Sequence, residues 1–383
     1  DCVFEIIEGN IELYLKVLKE YFDANAPFRL NGYRQIKYLL DSIGYEATYC
    51  FIKNNAFDKK DVWMSFIWES VPEENINEKI VNDYKNFVFN NLEKDNPIIP
   101  TIQVVARYGE RDSEIKEAVI KEVLDNPKLS AKFLGDTYHD DRIEEIINFF
   151  KNDISALTSI YMNAIEISCE IDYDGNLFAK IFEQQHTIWN EYVDWVKSKD
   201  NMCGDEREHK VFELVWRDDK WCEYVEYAFK ILIDDDRFFY INEFAGILFA
   251  KTTDATILER KKYYLLEKLR ESNSEIEKCK KLMDVVVNIL PEWKLEYILE
   301  FLKVNKKLED FKKIDLFPSF CSWSGSEVPL IIEKIDFIKL LKDNLKGIDY
   351  IDHRKYIEEY RMDLEKYKEK IELREYIENA DYA

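Results

Sequence analysis

Residues 221–232 read WCEYVEYAFKIL, with Trp221, Val225, Ala228, Phe229 and Leu232 apolar and Glu223, Glu226 and Lys230 between them. Steps of three and four put the five apolar side chains on one face of a 3.6-residue period, whereas a strand alternates at every second residue. The stretch predicts an amphipathic helix, and its pattern recurs along the chain. Ile11, Leu15, Leu18 and Phe22 share a face, as do Ile143, Ile146, Ile147, Phe150 and Ile154. Trp189, Tyr192, Val193 and Val196 follow, then Leu258, Leu265, Leu266 and Leu269, then Leu295, Ile298, Leu299 and Leu302. Counted this way, the chain holds about 16 to 18 helical segments.

Composition agrees. In 383 residues there are only 10 Gly and 8 Pro, against 46% apolar and 15% aromatic residues. So few breakers favour long helices with short connections, and so much apolar material excludes a disordered chain. Two segments, Ala47 to Ile52 and Ile98 to Arg107, carry enough β-branched and aromatic residues to be short strands or buried helix ends. The expected fold class is therefore all-α with at most minor β. Helices of similar length stacked in antiparallel pairs, about 40 residues per pair, give an α-solenoid-like array. Its parts are expected at 1–200, 201–320 and 321–383, read as one continuous array. The weakest point is SKDNMCGDE, Ser198 to Glu206, where polar residues interrupt two strong helices.

Charge excludes some partners. The balance of 54 basic and 77 acidic residues gives a net charge of −23. A field of that sign repels nucleic-acid phosphates and anionic lipid unless a local basic patch intervenes, and no run of the sequence collects one. Seven scattered cysteines without a CxxC pair point to reduced thiols in a cytoplasmic setting, not to a disulfide framework or structural zinc. No apolar run spans a bilayer and no signal peptide opens the chain. The start at Asp1 is read as the start of an excised or processed part of a longer polypeptide.

Candidate chemistry yields to simpler readings. Cys203, Asp205, Glu206 and His209 include a Glu-x-x-His, but the second such pair of a bridged metal site is missing. An acidic first turn favoured by the helix dipole explains them. His139 beside Asp140 and Asp141 reads as a solvated loop, with Asp141 and Glu144 at capping-box spacing. Asp172-Tyr-Asp174-Gly-Asn176 resembles a calcium loop whose glycine comes too early, so a turn capping the next helix is expected. Asp234, Asp235 and Asp236, with Glu208 and Lys210, supply the letters of a metal-dependent nuclease in a helical context. No phosphate-binding loop or dinucleotide fingerprint occurs. No cofactor, metal or catalytic residue is assigned, and the segment is read as not being an enzyme.

Residues 317–341, FPSFCSWSGSEVPLIIEKIDFIKLL, concentrate Pro, Gly, Ser, Cys and Trp. Ser322-Trp-Ser324-Gly-Ser326 lacks the glycine and strand of a nucleophile elbow. With Ser324 as N-cap, Pro329 would fall inside the helix; with Ser326, it falls in the unpaired first turn, which sterics favour. Gly347 then closes that helix, and Asp349 or Asp352 opens the last one. There Ile357, Tyr360, Leu364, Tyr367 and Ile371 form a heptad-like face suited to self-association.

The order LFPSFCSWSGSEVPLIIEKIDFIKLL (316–341) and NLKGIDYIDHRKYIEEYRMDLEKYKEKIELREYIEN (344–379) resembles the carboxyl-terminal end of large bacterial STAND-class ATPases. Several of these act in antiviral defence. The resemblance covers roughly the last 65 residues. It implies a helical-repeat sensor that binds a protein ligand, often a foreign one such as a phage protein, while effector and ATPase domains elsewhere do the chemistry. Its partner-binding residues are not assigned; Trp63, Trp68, Trp216 and Trp323 are candidates if exposed. Two other readings stand beside it: a metal-dependent hydrolase with a carboxylate site in a helical pocket, and a passive scaffold that self-associates through its last helix.

Overall fold

The computed structural model describes residues 2–24, 32–135, 137, 139–168, 170–198, 206–234, 238–272, 275–318 and 325–381, with 2, 206, 238–242 and 379–381 as backbone only. Among them every regular element is helical. The chain forms two compact units, 1–188 and 189–383, a division that falls ahead of the weak point expected at 198–206. That weak point lies mostly outside the described residues.

The first unit opens with α1 (Cys2–Ile7), α2 (Ile11–Asp23), α3 (Gly32–Asn55), α4 (Lys60–Ser70) and α5 (Glu78–Leu92). It continues through α6 (Ile102–Gly109), α7 (Ser113–Asp125), α8 (Pro127–Leu134), α9 (Asp140–Phe149), α10 (Ile154–Ile167) and α11 (Asn176–Gln184). The second begins with α12 (Ile188–Ser198), α13 (Glu206–Arg217), α14 (Trp221–Asp234), α15 (Phe238–Leu248) and α16 (Ala255–Glu271). Then come α17 (Ile276–Ile289), α18 (Lys294–Val304), the single turn α19 (Leu308–Phe311), α20 (Val328–Asn344) and α21 (Ile351–Asp381).

Helix starts are written in side chains. Asn10, Asn77, Asp112, Asn126, Asp153 and Asp254 each accept a hydrogen bond from an amide in the first turn of the helix that follows. The expected cap at Asp141 is a correction: α9 begins at Asp140, with His139 as N-cap and no side-chain cap bond. Both aspartates then lie in the first turn, where the helix dipole favours carboxylate. The N-cap expected at Ser326 is also a correction: α20 begins at Val328 with Glu327 as N-cap and no side-chain cap bond, while the Ser326 hydroxyl accepts from the Val328 amide at 3.2 Å and Pro329 lies in the unpaired first turn.

Neither strand candidate is a strand. Residues 47–52 belong to α3 beyond a break at Gly44 (φ 77°). The extended piece before α6 is pinned by Asn91, which donates to the Ile98 carbonyl (2.6 Å) and accepts from its amide (3.2 Å). One side chain thus supplies the bonds a neighbouring strand would have made.

Within each unit a helix packs on the next and on the next but one: α8 on α7 and α10, α13 on α14 and α15, α17 on α15, α16 and α18. This sequence-local stacking is that of an α-solenoid-like array. Side-chain donors stitch neighbouring pairs by reaching a backbone carbonyl one repeat away. Tyr108 Oη donates to Trp68 O (3.1 Å), Asn163 to Leu124 O (3.0 Å), Trp216 Nε1 to Leu248 O (2.8 Å) and Tyr297 Oη to Lys262 O (2.8 Å). Their sequence separations, 40, 39, 32 and 35 residues, lie at or somewhat below the expected pair length. The Trp68, Leu124 and Leu248 carbonyls lie in the last turns of α4, α7 and α15, where the helix itself leaves them without a donor, and Lys262 lies within α16.

Candidate functional site

The aromatic candidates are core. Trp63, Trp68 and Trp216 are buried at 4%, 1% and 0% exposure, and Trp323 lies outside the described residues. Asp172 is also structural: its carboxylate accepts from the amides of Leu177 and Phe178, both at 2.8 Å, and from Tyr161 Oη at 3.1 Å. It caps α11 from five residues upstream, as the turn reading expected. His139, Asp140 and Asp141 are exposed at the start of α9, and His209 is exposed on α13. Cys203, Asp205, Asp235 and Asp236 lie outside the described residues. Among those described, no group of three or more His, Cys, Asp or Glu is placed to hold a metal ion, and no helix is long and apolar enough to cross a membrane.

The face of α21 expected to self-associate is covered in part: Ile357 and Ile371 are buried, Tyr360 and Leu364 half-buried, and Tyr367 is 42% exposed. Ile371 packs with Ile331 and Ile335 of α20, with Leu364 and Val328 alongside, and Ile357 is fully buried.

Among the described residues, hollows lie at two places in the second unit. One, about 330 Å³, lies between α14, α16 and α17 and is lined by Glu226, Asp234, Lys268, Glu271, Glu275 and Lys278 among others. Its charges are largely spent on each other: Lys268 pairs with Glu226 and Glu271, and Lys278 with Glu275, all at 2.8 Å. Little is left to hold a ligand.

The other is a trench beside the turn between α20 and α21. Helix α18 buries Ile298, Phe301 and Leu302 in the core, and its half-buried Leu295 and Leu299 line the trench together with Leu302. Across from them α20 ends, Leu345 is buried, and Gly347 turns the chain at φ 104°. Only glycine holds that angle without strain. The turn then presents Ile348 at 84% exposure. Two adjoining hollows of about 370 and 560 Å³ share Leu345 and Lys346.

This turn is braced from three directions. Arg354 Nη1 donates to the carbonyls of Leu345 (2.7 Å) and Gly347 (2.8 Å). Lys306 pairs with Asp349 at 2.7 Å, which holds that carboxyl below its ordinary range. Tyr350 Oη donates to Leu302 O at 3.3 Å, tying the turn to α18. The bracing keeps Ile348 in open water, where an apolar side chain gains nothing from the fold.

Beneath the turn sits His353, 2% exposed, its ring 5.6 Å from Phe311 and 5.7 Å from Tyr350. Neither ring nitrogen has a hydrogen-bond partner among the described residues. Burial lowers its pKa below the ordinary 6.5, with Asp352 partly opposing. A base so depressed contributes stability that is present above its unfolded pKa and lost as pH falls below it. Denaturant titrations from pH 7.5 to 5 should show a shallower loss of stability in His353→Leu than in the wild type. Equal slopes would mean that the histidine is hydrated.

Sequence reasoning missed the trench. Its leucines were read as one helix face, and Gly347 only as a helix stop. No protein family matches the chain, and neither a curated protein nor a solved structure does.

Proposed function

We propose that the chain is a recognition module that binds a partner protein, and that it forms the C-terminal sensor part of a STAND-type antiviral ATPase in the bacterial cytoplasm. The observation that carries the binding reading is the trench: apolar, braced, and flanked by an isoleucine at 84% exposure. Exposed apolar side chains fixed in place are what interfaces bury at their centres. Support for the sensor assignment is the resemblance of residues 316–379, within which the Gly347 turn falls. In this reading the module acts by binding, and catalysis belongs to domains elsewhere.

The test is affinity capture with the chain as bait, from bacterial lysates with and without phage infection, read by mass spectrometry. One viral protein enriched only after infection is expected. A bait shown to be folded that enriches nothing specific to infection counts against the sensor assignment.

A further inference from the structure

We propose that the trench takes one acidic, amphipathic α-helix of the partner, its apolar face on Leu295, Leu299 and Ile348 and its carboxylates towards Lys346 and Arg354. The inference rests on the recognition reading of this same surface.

The shape argues for a helix. Leu295 and Leu299 stand half-buried at i and i+4 on α18, neighbours along the ridge that a second helix packs against.

Charge complementarity decides the sign. The chain as a whole has 77 acidic residues against 54 basic, yet the trench lining holds Lys303, Lys342, Lys346 and Arg354 against only Glu296 and Asp343. Three of these six are already paired: Lys303 with Glu300 (2.9 Å), Lys342 with Glu358 (2.7 Å) and Glu296 with Lys262 (2.6 Å). Lys346 and Arg354 form no ion pair among the described residues, and Arg354 spends its hydrogen bonds on neutral carbonyls. Two cations against Asp343 therefore remain uncompensated. A carboxylate brought to them gains attraction without breaking an existing pair, whereas a basic helix meets repulsion.

The test uses the whole chain and two fluorescent helical peptides with the same leucine pattern at i, i+3, i+4 and i+7. One carries Glu on its polar face and the other Lys. Anisotropy should show the Glu peptide bound about tenfold more tightly, the preference shrinking as salt rises. Ile348→Ser should weaken both peptides several-fold, and Lys346→Glu should remove most of the preference for the acidic one. Ile348 and Lys346 are exposed, so circular dichroism should find both variants folded. Equal affinity for the two peptides, or none for either, overturns the acidic-helix assignment. So does a concentration-dependent dimer that Ile348→Ser dissolves, because the occupant is then a second copy of the chain. If a captured partner depends on Ile348 while the peptides do not discriminate, the acidic helix falls and recognition stands. If neither depends on Ile348, both fall.

Discussion

Replacing Trp216 with alanine should lower the stability of the 189–383 unit by about 5 kcal/mol. The indole is fully buried, stacked on Trp221 at 5.4 Å, with Phe249 at 5.8 Å and Tyr264 at 6.1 Å between ring centres. Truncating a buried tryptophan costs about 3–5 kcal/mol in lost transfer energy and cavity. The Leu248 carbonyl also loses its donor at the buried end of α15, which adds about 1–3 kcal/mol. A domain is stable by only about 5–15 kcal/mol, so the variant stands at the edge of unfolding. Trp216→Phe keeps most of the packing and loses the Nε1 donor, so its loss should be about 2 kcal/mol. Urea titration followed by circular dichroism separates the two. An alanine variant within about 1 kcal/mol of the wild type would mean that the repeat-to-repeat bond and the ring stack do not hold the array.

Asp172→Ala is the corresponding change in the 1–188 unit, with an expected loss of about 4 kcal/mol. The carboxylate is 1% exposed and serves two amides and one phenol, so its removal strands three donors at once. Asp172 also stands at φ 54°, a left-handed conformation that costs alanine about 1 kcal/mol and glycine almost nothing. Asp172→Gly should therefore be less damaging than Asp172→Ala by about that amount, although both lose the cap. Equal losses in thermal melts would remove the backbone part of this account.

Helicity was legible because a 3.6 period is carried by each segment alone. Ile143, Ile146 and Phe150 are buried as their spacing requires. Where the reading slipped, a polar residue had taken an apolar place. In α16 the predicted face included Leu258, which is 37% exposed, while Ile257, Lys261, Tyr264, Leu265 and Leu269 face inward. Lys261 is 2% exposed, and its amine donates to Ala250 O at 2.6 Å and lies 5.7 Å from the centre of the Trp216 ring. Burial pushes its pKa down to about 8. Counting apolar residues cannot find such a lysine.

The trench was illegible for a different reason. Leu295 to Leu302 and Leu345 to Arg354 are distant in sequence and meet only because one helix pair stacks on another. Likewise, tryptophans counted as possible anchors gave no sign of which way they faced, and three of the four are core.

The most direct measurement is the capture experiment repeated with Ile348→Glu beside the wild type, both checked for folding and read on the same partner. Recognition through the trench predicts that the variant retains less than about a tenth of the captured protein, because a charge placed at the centre of an apolar interface must be desolvated without a partner. Undiminished capture would contradict it and move the binding surface elsewhere on the chain.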